Sequence, residues 1–262
     1  MGVKVICELV KKEMLIENIY KFSVKSEELA RNAKAGQFLE IKVTEDVEPL
    51  LRRPISIYNV DKENNIVEFI FQVRGRGTEI LKNRREGDLI DILGPLGNGV
   101  FTVDKEYENV AIIGGGIGTY PLYELAKELK GKAKKVTMYM GFRNKDLVTL
   151  EKEFSDVADE LVLTTDDGSY MKKGYAIEYL KSDHEVNNFD AIFACGPAPM
   201  LKAVKEFAAE KNIFAEISLE ERMGCGVGAC LGCATKIIEG DSFRYGHVCK
   251  DGPVFNITKV EI

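Results

Sequence analysis

The residues of this sequence best placed to do chemistry are Cys225, Cys230, Cys233 and Cys249, four of its six cysteines. They lie in Met223-Gly-Cys-Gly-Val-Gly-Ala-Cys-Leu-Gly-Cys-Ala-Thr235 and His247-Val-Cys249, with four, two and fifteen residues between successive sulfurs. C-x4-C-x2-C…C is the plant-type spacing for a 2Fe-2S cluster held by four thiolates. Gly224, Gly226, Gly228 and Gly232 interleave the first three, which suits a loop that wraps a cluster and turns backbone N–H groups toward its sulfurs. Three other readings compete. A structural zinc site usually shows two C-x2-C knuckles, and only Cys230 and Cys233 form one. Disulfides need an oxidising compartment, and four unrelated buried thiols would have to crowd into one short glycine-rich stretch. A 2Fe-2S cluster is the expectation.

A second set of residues suits phosphate. Gly114, Gly115, Gly116 and Gly118 follow the apolar run 110–113 and precede a helical pattern, so free N–H groups and the helix dipole would meet an anion there. The run is an imperfect G-x-G-x-x-G, because position 119 is Thr119 and no acidic residue stands about twenty residues on. A nucleotide site and tight strand–helix packing both remain open for it. Cys195-Gly196-Pro197 repeats the strand-to-helix design after a later strand, although a lone cysteine reads first as a small hydrophobe. Arg52-Arg53-Pro54 opens one strand and Arg74-Gly-Arg-Gly77-Thr78 follows another. Guanidinium groups match phosphate oxygens bidentately, and a solvated charged loop is the alternative.

These groups need elements to position them. Short β-branched or aromatic runs at 3–10, 19–24, 37–43, 55–58, 66–73 and 89–93, separated by turn residues, predict six strands in an antiparallel barrel. From about residue 104 the pattern alternates, with apolar runs at 110–113, 136–140, 161–163, 191–194 and 213–217. Two helices are marked, one by Leu122, Leu125, Ala126 and Leu129 behind Pro121, the other by Leu201, Val204 and Ala208 behind Pro199. Continuous apolar strands alternating with helices imply a parallel sheet covered on both faces. The organisation is therefore multidomain β plus α/β: a barrel over 1–103, a parallel-sheet domain over 104–222, and a cysteine-bearing segment over 223–262 too small to fold well without its cluster.

With 262 residues, 30% charged and 45% hydrophobic, and a formal charge of −6, the composition is that of a soluble globular protein. No Lys/Arg block suggests nucleic acid. The apolar start is interrupted by Lys11-Lys12-Glu13 before it could serve as a signal core, and no stretch has the length of a membrane helix. The cytoplasm, which also favours thiolate ligands, is the expected location.

Together these residues resemble the ferredoxin-reductase superfamily, which joins an FAD-binding barrel to an NAD(P)-binding domain. The resemblance implies that Arg53-Pro54-Ile55-Ser56 is the flavin motif, with Arg53 at the FAD pyrophosphate and Ser56 near the flavin ring. It places Ile70-Phe71-Gln72 along the ribityl region, Gly77-Thr78 at phosphate, and Gly114 to Gly118 with Cys195-Gly196-Pro197 as two nicotinamide-nucleotide turns. Glu220-Glu-Arg-Met-Gly-Cys-Gly-Val-Gly-Ala-Cys-Leu-Gly-Cys233 with Val248-Cys-Lys-Asp-Gly-Pro-Val-Phe255 is similar to the PyrK family, the electron-transfer subunits of dihydroorotate dehydrogenase B. Thr119 and Tyr120 depart from it, since the family commonly has smaller apolar residues after the glycines.

The implied activity is a conduit without a catalytic residue for dihydroorotate. Electrons would come from a separate catalytic subunit, in a heterotetramer of two plus two, through the cluster and FAD to NAD. Met223, Val227 and Leu231 are candidates for the docking contact. Related subunits serving a hydrogenase, a sulfur reductase or a bifurcating ferredoxin reductase are rivals, as is a cluster-based redox sensor. The preference for NAD comes from the resemblance, because Arg143-Asn-Lys145 could meet a 2'-phosphate. His247 has a packing or surface reading beside a role near the cluster, His184 reads as a solvated loop residue, and Cys7 reads as core.

Overall fold

The computed structural model describes residues 2–44 and 46–262. Six antiparallel strands, β1 (Val3–Ile16), β2 (Ile19–Lys25), β3 (Phe38–Ile41), β4 (Arg53–Asp61), β5 (Ile66–Gln72) and β6 (Leu89–Leu96), close a barrel in the order β1-β2-β5-β4-β3-β6. Two short helices interrupt them, α1 (Glu27–Asn32) and α2 (Arg76–Leu81). Asn18, in the left-handed conformation at φ 63°, makes the tight β1–β2 turn, a geometry asparagine tolerates well. Ser26 caps α1 by accepting the Leu29 N–H. The interior is aromatic and aliphatic: Phe22 and Phe69 are fully buried, and Phe71 meets Phe22 edge-on with ring centres 5.0 Å apart.

β1 is longer than its apolar run. It continues through Lys11-Lys-Glu13 because that half pairs across the strands rather than burying apolar side chains. Lys21 of β2 sits 3.4 Å from the Glu13 carboxylate, and the Lys12 ammonium caps the Arg84 carbonyl at 3.0 Å. Hydrophobic alternation stops at Lys11, but the ladder does not.

The second sheet is built from β7 (Asn109–Gly115), β8 (Lys135–Phe142), β9 (Glu160–Thr165), β10 (Lys172–Lys173), β11 (Ala191–Cys195), β12 (Phe214–Ser218) and β15 (Val254–Asn256), in the order β10-β9-β8-β7-β11-β12-β15. Every pairing is parallel except β12 with β15, which is antiparallel. The interleaved helices are α3 (Leu122–Leu129), α4 (Glu151–Val157), α5 (Ala176–Asn187) and α6 (Ala198–Lys211). Val110 to Ile113 are fully buried, as strands covered on both faces require. Asn188 and Asn212 end α5 and α6 in the left-handed conformation that stops a helix. The strand order runs outward from β7 through β8 and β9 on one side, then resumes at β11 on the other. The β7/β11 boundary is thus a topological switch point, where α/β sheets open a ligand crevice.

In chain order between β12 and β15 come a two-stranded sheet, β13 (Ala234–Glu239) with β14 (Ser242–His247), and a last short helix, α7 (Val248–Asp251). By its internal packing the chain divides into two compact units. One holds the barrel through Val100 with Glu220–Thr235 and Gly246–Pro253, and the other holds Phe101–Leu219 with Lys236–Tyr245 and Val254–Ile262. All four cysteines of the glycine-rich motif therefore fold with the barrel.

Candidate functional site

The loop from Cys225 to Cys233 turns its backbone toward sulfur. The Cys225 thiol accepts N–H groups from Val227 at 3.5 Å, Ala229 at 3.3 Å and Cys230 at 3.4 Å, while the Cys249 sulfur accepts the Gly228 N–H at 3.1 Å. The Cys249 N–H in turn points at Cys233 Sγ, 3.4 Å away. Such a cage requires glycine at its bends: Gly226 and Gly228 have φ of 70° and 80°, and a Cβ on Gly224 would come within 3.3 Å of Cys230 Sγ.

The cage sorts the thiols. Partial burial opposes ionisation of Cys225, but the three backbone donors outweigh it and bring its pKa down to about 6. Cys249 goes the other way, pushed up to about 12 by burial and by its neighbour Cys233. Burial holds Cys249 protonated by itself, and a bound 2Fe-2S core would supply the positive charge that offsets this. Among the described residues no three ligand groups gather around a single point. A two-iron cluster does not require that, because its thiolates divide two to each iron. The N–H donors, the glycine bends and the four sulfurs fit a 2Fe-2S group.

In the barrel the two adjacent arginines have different tasks. Arg52 is taken up by the fold: it donates to the main-chain oxygens of Glu40 and Asp91 at 3.2 and 3.1 Å and to the Asp91 carboxylate at 2.7 Å. Arg53 lies instead against α2, so close to Gly77 that a Cβ there would fall 2.2 Å from its Nε. The Thr78 hydroxyl accepts the Arg74 N–H at 2.9 Å and donates to the Gly75 carbonyl at 3.0 Å, so the side chain serves the turn. The first N–H groups of α2 have no partner within the helix and stand beside the Arg53 guanidinium. That cradle, one guanidinium over a helix start with no side chain between, fits a diphosphate.

Pro54 and Ser56 are half-buried, while Ile55 belongs to the barrel core with Phe71. Ile70 is buried outside that core cluster, and Gln72 is half-buried with its Oε1 accepting from Arg74 Nε at 2.7 Å. Residue type and spacing alone treat the two arginines alike, and only the family resemblance singles out Arg53.

At the switch point the two glycine turns pack on each other. Gly114 is the register partner of Cys195. A Cβ on Gly118 would meet Gly196 Cα at 2.7 Å, and one on Gly115 would meet Pro197 Cδ at 2.8 Å. Gly116 differs: its φ is 55° and the space beside it is open. Cys195 is buried at the end of its strand. Thr119 and Tyr120 are both buried, and the Tyr120 hydroxyl is bonded to Thr149 Oγ1 at 2.7 Å, so it packs toward the interior of this unit. Beyond β8, the Arg143 charge acts on Asp166, and Lys145 lies over the Tyr170 ring at 5.6 Å.

One group in the cysteine unit gave no sequence signal that was used. Glu40, in the middle of β3, is 1% exposed and both its carboxylate oxygens lack a hydrogen-bond partner among the described residues. Burial raises its pKa to about 7 against the opposing pull of Arg52, and the Cys225 charge adds to the rise. His247 is half-buried, its backbone N–H donating to the Asp251 carboxylate at 2.6 Å and its Nδ1 lying 3.7 Å from the same oxygen. Val227 and Leu231 are exposed on the cysteine loop.

Comparison with known proteins follows the same three parts. Residues 6–101 match the oxidoreductase FAD-binding domain, 112–206 the oxidoreductase NAD-binding domain, and 220–261 the iron–sulfur cluster binding domain of dihydroorotate dehydrogenase B. The dihydroorotate dehydrogenase B (NAD(+)) electron transfer subunit of Lysinibacillus sphaericus (strain C3-41) is 43% identical over 94% of this chain and 94% of its own. That of Bacillus cereus (strain Q1) is 41% identical over 96% of both. The chain belongs to this family of electron-transfer subunits. It is an oxidoreductase subunit with sites for FAD, NAD and a 2Fe-2S cluster. A solved chain from a study of flavin-based electron bifurcation by an NADH-dependent reduced ferredoxin-NADP oxidoreductase is also similar. It superposes with a TM-score of 0.85 at 31% identity, covering 100% of this chain and 91% of that one. The ferredoxin-reductase-like fold expected from the sequence is the fold observed. No helix among the described residues is long and apolar enough to cross a membrane.

Proposed function

We propose that this subunit takes electrons from a dihydroorotate-oxidising catalytic subunit and delivers them to NAD+ in pyrimidine biosynthesis, as part of a cytoplasmic heterotetramer of two plus two. The observation that carries the reading is the thiol cage: a cluster loop folded into the same unit as the flavin-type barrel supports direct passage between the two cofactors. Bound flavin exchanges hydride with nicotinamide as two electrons and exchanges single electrons with an iron–sulfur cluster, so it can couple the two.

The residues divide the labour around that chemistry. The Arg53 guanidinium and the start of α2 hold the diphosphate of FAD, while Ser56 lies near the ring and Ile70 along the flavin-ribityl region. The turns ending β7 and β11 receive the nicotinamide nucleotide, with Gly116 leaving its backbone open to approach. Cys225, Cys230, Cys233 and Cys249 hold the cluster. Exposed Val227 and Leu231, with half-buried Met223, form the apolar part of the docking face.

Anaerobically purified protein is expected to carry FAD and two irons per chain, to reduce artificial acceptors with NADH, and to support dihydroorotate-dependent NAD+ reduction only with its catalytic subunit. Protein loaded with cluster and flavin that fails to complete that reaction with the catalytic subunit would overturn the assignment. The likeness over the whole chain to a bifurcating-enzyme subunit favours one second reading, in which the same cofactors serve a ferredoxin-linked partner. Identifying the subunit that co-purifies separates the two.

A further inference from the structure

On the face of β3 turned away from the barrel core lies a carboxyl that neither the flavin nor the nicotinamide assignment uses. Glu40 stands in β3 among Phe38, Leu39 and Ile41, all buried, and its two carboxylate oxygens accept nothing among the described residues. An unsatisfied buried carboxylate is costly, and native structures keep such groups where they serve a function. The side chain is buried from solvent and has no ion-pair partner among the described residues. Arg52 reaches only the Glu40 main-chain oxygen, and its other bonds go to Asp91.

What the carboxyl does face is the cysteine loop. A Cβ on Gly226 would lie 2.6 Å from Glu40 Cγ and 2.8 Å from its Oε1, so the loop backbone rests on the carboxyl directly. Gly226 follows Cys225 and holds φ at 70°, a bend that turns the chain over Glu40 and on into the run of N–H donors around the Cys225 sulfur. The charged groups acting on Glu40 are Arg52 and Arg53, which attract it, and Cys225, which repels it.

We propose that Glu40 is a positioning residue for the 2Fe-2S cluster: its buried carboxylate seats the Cys225–Gly226 turn and holds the cluster at a lower reduction potential than the loop alone would give it. The backbone donors around Cys225 favour the added electron, because hydrogen bonds to sulfur stabilise the reduced cluster. A negative charge fixed beside the same turn opposes it. The two together set the driving force between cluster and flavin. The inference rests on the cluster assignment and goes beyond it by naming a non-ligand residue that tunes the cluster.

The test is Glu40→Gln in the full-length protein, prepared anaerobically with FAD and cluster. Iron content is measured first, then the cluster midpoint by a redox titration read by electron paramagnetic resonance. Removing one buried charge is expected to favour the reduced cluster about tenfold, equivalent to a midpoint about 59 mV higher for this one-electron couple. The flavin potential should move less. Glu40→Asp, which keeps the charge but withdraws it by one methylene, is expected to give a smaller rise and a broadened signal from the unsupported turn. A Gln variant with full iron and an unshifted midpoint would overturn the proposal. Should the Gln variant not load, an Asp variant with the wild-type midpoint and signal overturns it instead. Wild-type protein that binds no iron would refute the cluster assignment, a separate failure.

Discussion

Gly77→Ala tests the diphosphate cradle by moving a guanidinium without removing it. The new Cβ would fall 2.2 Å from Arg53 Nε and 2.5 Å from its Cζ, so the end of the arginine side chain must leave. The helix itself should welcome the change. Gly77 is the second residue of α2 and does not have a left-handed φ, and alanine gains up to about 1 kcal/mol over glycine inside a helix. Against this, the guanidinium loses its bonds to the Leu51 and Arg52 carbonyls, each worth about 1 kcal/mol net. Stability should therefore change by no more than about 1 kcal/mol. FAD affinity should fall further, because a hydrogen bond to a charged group contributes about 1.5–3 kcal/mol, which is about 10- to 100-fold in Kd. Flavin titration into apoprotein, read by fluorescence quenching, measures the affinity, and thermal unfolding by circular dichroism measures the fold. Wild-type FAD affinity in a normally folded Gly77→Ala protein would refute the placement of diphosphate at Arg53, and equal losses in stability and affinity would reduce the site to packing.

The neighbouring arginine predicts the opposite pattern. Arg52→Ala leaves the Asp91 carboxylate, whose side chain is 10% exposed, with Lys4 at 3.3 Å as its remaining ion-pair partner, and should cost about 1.5–3 kcal/mol in chemical denaturation while leaving FAD affinity of the folded fraction nearly unchanged. The cysteines separate by alkylation of cluster-free protein. Cys225, at about pKa 6, should keep reacting with iodoacetamide as pH falls from 8 and lose its rate only through pH 6, since the thiolate is the nucleophile. Cys7, buried and raised to about 11, should stay unlabelled until the protein unfolds. Mass spectrometry of the labelled peptides reads both, and a Cys225 profile centred near pH 9 would show that the backbone donors do not hold its sulfur.

How much of this was legible in the sequence depended on how far apart the partners lie. The cysteine spacing and the glycine turns announce themselves because their chemistry is local: a strand end, a bend and a helix start fall within a few residues. The barrel was legible as well, because its strands are short β-branched or aromatic runs bounded by turn residues. Residue type and spacing did not separate Arg52 from Arg53, which only the resemblance singled out, because the group that claims Arg52 is Asp91, 39 residues on in another strand. Glu40 was similarly silent. Its meaning comes from Gly226, which the fold brings onto it from the far end of the chain. The antiparallel β15 and the two-residue β10 were missed because strands so short carry no periodicity.

Glycine shows the same limit in reverse, since a motif gives every glycine one role and the structure gives them several. Gly115, Gly118 and Gly196 lack side chains because two turns press together at the switch point, and Gly114 because the chain folds back onto Thr119. Strand–helix packing therefore accounts for these four, as the imperfect fingerprint allowed. Gly116 needs its left-handed φ and leaves open space. Gly75 is different from all of them: its φ of −175° suits any residue, and nothing lies near where its Cβ would be. It is followed at the start of α2 by Arg76 and Gly77, the latter against the Arg53 guanidinium. Neither its backbone nor its neighbours call for glycine there. A diphosphate approaching the first turn of α2 would, and this reason for the Arg74-Gly-Arg-Gly77 sequence is independent of the charge on its arginines.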